Sequence, residues 1–160
     1  MRALISVYNK AGLENLARGL ADLGWNLVAS GGTADFLEHE VGLDVERVED
    51  LTGVAEMLGG RVKTLHPRIH AAILARRDHE DDIATLAEHE IEPFDIVCVN
   101  LYPFSDVAGR YGVREAEAVE MIDVGGPSML RGAAKNFAHC APVCRPEQYD
   151  ALLQELRDSA

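Results

Sequence analysis

Short apolar runs, several of them β-branched, recur along this chain, and segments of helical spacing lie between them; this alternation restricts the fold more than any other feature. The clearest run is Phe94-Asp95-Ile96-Val97-Cys98-Val99, short and nearly continuous, as expected of a strand buried on both faces. Ala3 to Val7 reads the same way. It is followed by a candidate cap at Asn9 and a helix carrying Leu13, Leu16, Ala17, Leu20 and Leu23, with Gly24 placed to end it. Trp25 to Ala29 reads as a second strand, and Thr33 as the cap of a helix over Ala34 to Val41. A short strand near Asp44 to Val48 precedes an irregular segment from Gly53 to His70. Ala71 to Ala75 reads as a further strand or buried segment, and Asp81 to His89 as a solvated helix. Later helices are expected at Arg114 to Met121, Pro127 to Ala138 and Pro146 to Arg157. Strands alternating with helices imply an α/β fold of three layers, a mostly parallel central sheet with helices on both faces. The 160 residues suit one domain, expected to span 1–160, with enough surface to bury for a core that needs no disulfide or metal staple.

Charge narrows the partners. Fifteen basic residues stand against 27 acidic ones, a net charge of −12, and such a field repels phosphate polymers and anionic membranes. No nucleic acid and no membrane is expected as a partner. No apolar run approaches the ~20 residues of a membrane span, and the start MRALISVYNK lacks the apolar stretch of a signal peptide. Cys98, Cys140 and Cys144 are too few and odd in number for a disulfide scaffold, so a cytoplasmic location is expected. Only three of the basic residues are lysines, Lys10, Lys63 and Lys135. A chain that otherwise uses arginine marks the places where a compact point charge or a titratable amine is useful.

In open α/β sheets ligands bind beyond the carboxyl ends of the strands, and here those segments carry the unusual residues. Tyr8, Asn9 and Lys10 follow the first strand, Ser30-Gly31-Gly32-Thr33 the second, and Asn100-Leu101-Tyr102 the strong later one. The Gly-Gly turn can bring backbone N–H groups to an anion at a helix start. It is neither a Walker A loop nor GxGxxG, which favours a monophosphate over a triphosphate or dinucleotide. Gly59 to His70 packs Arg61, Lys63, Thr64, His66, Arg68 and His70 into a dozen residues, a density of donors suited to an anion. If that stretch is extended, Arg61 and Lys63 share a side. In the run Ile122 to Asn136, Pro127 suits a first helical position, and Leu130, Ala133, Ala134 and Phe137 form an apolar stripe. Ser128, Arg131 and Lys135 fall on another face, with Asp123 just before the helix; an aspartate and a lysine held together can exchange a proton. His66 with His70 lacks an obvious third ligand, and His139, Cys140 and Cys144 lack paired CxxC spacing, so no metal is expected.

The stretches SVYNKAGL, LVASGGTA, LTGVAEMLGGRVKTLHPRIHAAILARR, VNLYPF and IDVGGPSMLRGAAKN occur in order. Together they closely resemble the IMP cyclohydrolase domain of the bifunctional purine biosynthesis enzyme, from about Ile5 to Tyr149. The resemblance implies a fold similar to methylglyoxal synthase, a homodimer, and no cofactor. The implied reaction is dehydrative closure of 5-formamidoimidazole-4-carboxamide ribonucleotide (FAICAR) to IMP. Phosphate and ribose contacts map onto Tyr8, Asn9, Lys10, Ser30, Gly31, Gly32 and Thr33. Tyr8 and Asn9 depart from the serine and aspartate common in that family. Contacts to the base and reacting groups map onto Arg61, Val62, Lys63, Thr64, Asn100, Leu101, Tyr102, Asp123, Val124 and Gly125. Lys135 is expected to move the proton, tuned by Asp123 and Tyr102, while Lys63 steadies the oxyanion. All three lysines are thus expected at one edge of the sheet. The resembling enzyme continues into an AICAR formyltransferase domain, a possible covalent or separate partner whose activity and folate are not expected of these residues. Two other readings share the fold: a methylglyoxal synthase, against which GGRVKTLHP and GGPSMLRGAAKN argue, and a non-catalytic nucleotide sensor, which would not need Lys63, Tyr102, Asp123 and Lys135 together.

Overall fold

The computed structural model describes residues 1–159. Five strands, β1 (Arg2–Val7), β2 (Asn26–Ala29), β3 (Glu46–Arg47), β4 (Ile96–Asn100) and β5 (Ala141–Val143), form one sheet in the order β3-β2-β1-β4-β5. Every pairing is parallel. Alternation along the strands divides two cores. Ala3, Ile5 and Val7 of β1 and Ile96 and Cys98 of β4 face one layer, whereas Leu4, Val97 and Val99 face the other. The first layer is covered by α1 (Leu13–Asp22), by α2 (Gly31–Asp35) with its π-helical continuation Phe36–Val41, and by α9 (Tyr149–Asp158). The second is covered by α3 (Val48–Thr52), α4 (Pro67–Leu74) and α8 (Gly125–Lys135). Helix α5 (Glu80–Glu88) contributes the buried Leu86, while α6 (Phe104–Ala108) and α7 (Glu115–Glu120) contribute no buried residue. The expected three-layer α/β architecture is present, with a sheet that is wholly parallel.

Several local expectations are corrected. Ala71 to Ala75 is no strand: Pro67 opens a helix whose start His66 caps, its Nδ1 accepting from the Arg68 N–H at 3.2 Å, and Ile69, Ala72 and Ile73 form its buried stripe. A five-residue apolar run cannot by periodicity be told from a short stretch of buried helix. Asn9 does not cap α1 directly; it accepts from Ala11 N–H at 2.9 Å, and the helix starts after Gly12. Thr33 lies inside α2, which starts three residues earlier than expected, after Ser30. Helix α8 likewise starts at Gly125, so Pro127 sits at its third position, and it ends at Lys135. Its buried face is Gly126, Met129, Gly132 and Ala133; Phe137 is 76% exposed. The apolar stripe is therefore rotated from the expected one, because Gly126 and Gly132 let α8 approach its neighbours and carry no hydropathy signal of their own. Strand β5 was not expected. It is an edge strand of three residues, where Pro142 is tolerated because no further strand needs its missing N–H.

Candidate functional site

The strand order reverses between β1 and β4, since the chain runs outward through β2 and β3 and then returns to the other side of β1. A doubly wound sheet leaves a crevice at that point, beyond the carboxyl ends. The crevice here is a cavity of about 980 Å³, in the range of small-molecule sites. Its walls are Tyr8 and Lys10 after β1, Ser30, Gly32 and Thr33 after β2, residues 59–61 and 63–65, Asn100 and Tyr102 at the end of β4, and the stretch from Val119 to Gly126 that leads into α8.

The loops beneath the cavity are tied down by their own polar groups. Buried Thr33 accepts from the Val7 N–H and donates to the Val7 carbonyl, both at 3.1 Å. Lys10 Nζ donates to Val7 O at 2.5 Å and lies 3.5 Å from Thr33 Oγ1. Burial pulls the Lys10 ammonium below its ordinary pKa, with Glu40 opposing. Ser6 and Ser30 hydroxyls meet at 3.1 Å. Asn100 Oδ1 accepts from the backbone N–H groups of Tyr8 (2.7 Å) and Asn9 (2.9 Å), and its Nδ2 donates to Asn9 O at 2.8 Å. Asn100 borders the cavity, but its amide is spent bracing the β1 loop, as is the side chain of Asn9. The substitution Thr33→Val keeps the shape and takes the hydroxyl acceptor from the buried Val7 N–H, while Lys10 still donates to the Val7 carbonyl, so it should destabilise the domain by about 1–3 kcal/mol in urea unfolding. A loss below about 0.3 kcal/mol would show that water takes over the bond to the N–H.

On the facing wall, residues 61–64 form turns rather than an extended strand. Arg61 and Lys63 both border the cavity, yet each is paired with a carboxylate that sequence reading did not single out. Arg61 pairs with Glu120 on α7, and Lys63 Nζ lies 3.2 Å from Glu56 Oε2. Lys63 also seats its ammonium where a Cβ on Gly31 would stand; at φ +47° that position suits glycine in any case. Thr64 is buried against Gly125, whose lack of a side chain admits its hydroxyl. Asp123 Oδ1 accepts from the Gly126 N–H at 2.8 Å, capping the first turn of α8, while Oδ2 has no hydrogen-bond partner among the described residues. The positive end of α8 therefore opens on the cavity at Gly125 and Gly126. Tyr8 and Tyr102 stand edge to face, centroids 5.4 Å apart at 77°, a favoured aromatic geometry that makes a corner of two half-exposed rings.

Lys135 is the main departure. It lies ten residues along α8 from Gly125, about 15 Å at 1.5 Å per residue, and borders a separate shallow groove of about 690 Å³ with His70, Ser128 and Arg131. Burial lowers the pKa of His70 from its ordinary value. The expected Asp123–Lys135 pair is thus not formed within one chain, and the three lysines do not share one edge. Asn9, Gly31, Val62 and Leu101 also do not border the cavity. The two histidine and cysteine groupings weighed for metal do not converge. His139 Nε2 pairs with Asp78 at 3.2 Å, and burial raises the Cys140 thiol pKa to about 11. Among the described residues the only converging set of metal-type ligands is Asp35, Glu38 and His39, and Arg47 already bonds both of those carboxylates. Sequence signals for Glu56 and Glu120 were confined to charge balance: in a chain of net −12, a surface cation tends to find a carboxylate.

The fold is thus that of a doubly wound α/β domain, with a glycine-walled cleft at the switch point of its parallel sheet lined by Lys10, Arg61 and Lys63. The chain belongs to the MGS-like domain family, which matches residues 12–128. It is 56% identical over 158 residues to the bifunctional purine biosynthesis protein PurH of Trichormus variabilis, covering 98% of this chain and 31% of that protein. It is 53% identical over 156 residues to PurH of Leuconostoc mesenteroides, covering 98% and 30%. The chain thus spans less than a third of the length of these curated relatives. A solved structure titled "Crystal structure of ForH" superposes with a TM-score of 0.83 at 44% identity, over 99% of this chain and 80% of that one. Among the described residues no helix is long and apolar enough to cross a membrane.

Proposed function

We propose that this domain is an IMP cyclohydrolase acting in purine biosynthesis, closing FAICAR to IMP with loss of water. The observation that carries the reading is the meeting of Arg61, Lys63, Thr64, Tyr102 and Asp123 around one cavity beside the Ser30 to Thr33 turn. Its support is the 56% identity to a protein named for bifunctional purine biosynthesis. In the reaction the carboxamide nitrogen attacks the formyl carbon. One proton leaves that nitrogen and the former formyl oxygen becomes a hydroxyl. Loss of the hydroxyl with the formamido N–H proton releases water and leaves a C=N bond. Both reacting groups belong to one substrate, so the protein chiefly has to hold a near-attack geometry and steady the charge that develops. The turn at Ser30 to Thr33 would receive the phosphate, Lys63 would face the oxyanion, and Asp123 Oδ2, with no partner of its own, would accept the carboxamide proton or orient its acceptor. Tyr8 and Tyr102 would wall the planar ring. No cofactor enters the scheme.

In this reading Lys135 takes part in the proton transfer only when a second copy of the chain brings it to the cavity, which fits a homodimer. Lys135→Ala should then lower turnover by at least tenfold, about 1.4 kcal/mol of barrier. Mixing inactive Lys135→Ala and Lys63→Ala chains under exchange conditions should restore part of the activity, since one site in each mixed dimer keeps both lysines. Turnover of Lys135→Ala within tenfold of the parent would remove that role, and failure of the mixture to recover would mean that both residues of a site come from one chain.

The deciding experiment follows IMP formation by absorbance after FAICAR is added to the purified chain. Closure well above the uncatalysed rate is expected. IMP binding without acceleration would favour a nucleotide sensor, and turnover of dihydroxyacetone phosphate instead would favour a methylglyoxal synthase.

A further inference from the structure

We infer that Glu56 is a positioning residue for Lys63, holding its ammonium against the Ser30 to Thr33 turn so that it faces the reacting oxygen. The inference rests on the cyclohydrolase reading and adds a residue to it. Lys63 is held by one ion pair and lies where two glycines leave room for it. Its Nζ lies 3.2 Å from Glu56 Oε2. Its ammonium fills the space that a Cβ on Gly31 would occupy. Its Cε passes 3.3 Å from where a Cβ on Gly60 would stand, and Glu56 Oε1 lies 2.6 Å from the same point. Gly60, at φ +88°, thus provides the bare stretch of backbone over which the carboxylate and the lysine stem meet. The result is a lysine side chain only 21% exposed at a cavity wall.

Lysine has four rotatable side-chain bonds, and leaving them free would spread the charge over many positions. A charge aimed in advance at a developing oxyanion needs no reorganisation during the reaction, which is where such groups gain their effect. Glu56 is available for this task because the neighbouring cation, Arg61, is occupied by Glu120. Nor does the pair look like a structural strut. The Glu56 side chain is 42% exposed, and pairs open to solvent to that degree add little to stability. Glu56 joins no buried cluster, so its removal should be felt at Lys63 and not in the core.

The chain contains three lysines, which makes the idea directly observable. Lysine labelled with ¹³C at Cε gives three side-chain signals, and Lys63→Ala identifies the one that matters. In the parent protein the Lys63 signal should relax as a restrained side chain on the picosecond to nanosecond scale. In Glu56→Ala and Glu56→Gln it should relax like a free surface lysine, with Glu56→Asp between. In FAICAR closure, Glu56→Ala should lower kcat about tenfold, leave KM within about twofold and leave the melting temperature unchanged. In a Lys63→Ala background the same change should cost nothing further, because a positioning residue acts only through the group it positions. Unaltered Lys63 relaxation in Glu56→Ala overturns the inference whatever the activity. So does a tenfold loss that persists without Lys63, which would give Glu56 a direct role. If Lys63 loosens as expected but the parent closes no FAICAR, the reaction assigned to the domain falls while the positioning of Lys63 by Glu56 stands.

Discussion

Lys63→Ala is expected to lower kcat for FAICAR closure by about 10²–10³-fold, the effect of losing one donor to a developing oxyanion, with a much smaller change in KM. The expectation follows from where the side chain is held. Lys63 borders the cavity, is mostly buried, and is seated between Glu56 and the backbone of Gly31. Lys10, the other lysine at the cavity, is committed to the carbonyl of Val7 and is poorly placed to substitute for it. Lys63→Arg should not rescue. A planar guanidinium is larger than the ammonium that fits the notch at Gly31, and it would push the Ser30 to Thr33 turn away. Steady-state kinetics on the parent and both variants test this. If Lys63→Arg keeps kcat within about threefold of the parent, a positive charge at that wall suffices and the notch is incidental. If Lys63→Ala raises KM alone, the ammonium binds the phosphate and not the reacting oxygen.

The largest effect on stability is expected from Phe94→Ala. Phe94 is fully buried just before β4 and packs in the second core with Leu4, Val28, Ile69, Ile73 and Val97. Its N–H donates to Ala72 O at 3.0 Å, tying the strand to α4, and the Arg2 guanidinium lies 5.1 Å from its ring centroid. Removing the ring leaves a void among side chains carried by the sheet and by α4, each held by its own packing, so the space closes only in part. A loss of about 3–5 kcal/mol is expected, a large part of the 5–15 kcal/mol typical of a domain. At this chain length that lowers the melting temperature by about 6–20 °C. Urea and thermal unfolding provide the measurement. A cost under about 1.5 kcal/mol would mean that α4 moves in to fill the space.

Most of the sheet could be read from local pattern. Strands β1, β2 and β4 are short apolar runs, and the helices after β1 and β2 repeat apolar residues at helical spacing. Where pattern failed, another force had the deciding part. The Ala71 to Ala75 run is helical because His66 and Pro67 start a helix there. Strand β5 pairs despite Pro142 because it lies at an edge. The buried face of α8 is displaced because Gly126 and Gly132 permit close packing without being hydrophobic.

Within the candidate site, the chemically rich stretches were visible one by one. A cluster of donors around GGRVKTLHP and a glycine turn after a strand point to an anion in a chain whose overall charge repels one, and these are properties of residues close together in sequence. Which of those residues meet is a matter of long-range geometry. Asn100 braces Tyr8 and Asn9 from 91 or more positions away. Glu120 takes Arg61 across 59 positions, and Gly31 makes room for Lys63. Lys135 shows the reverse case: its motif is continuous with Asp123, yet a rigid helix rising 1.5 Å per residue carries the two apart. Periodicity and charge are local quantities and survive in the linear order of residues. The pairing of a cation with one carboxylate rather than another depends on the packing of the whole sheet, and only the folded chain decides it.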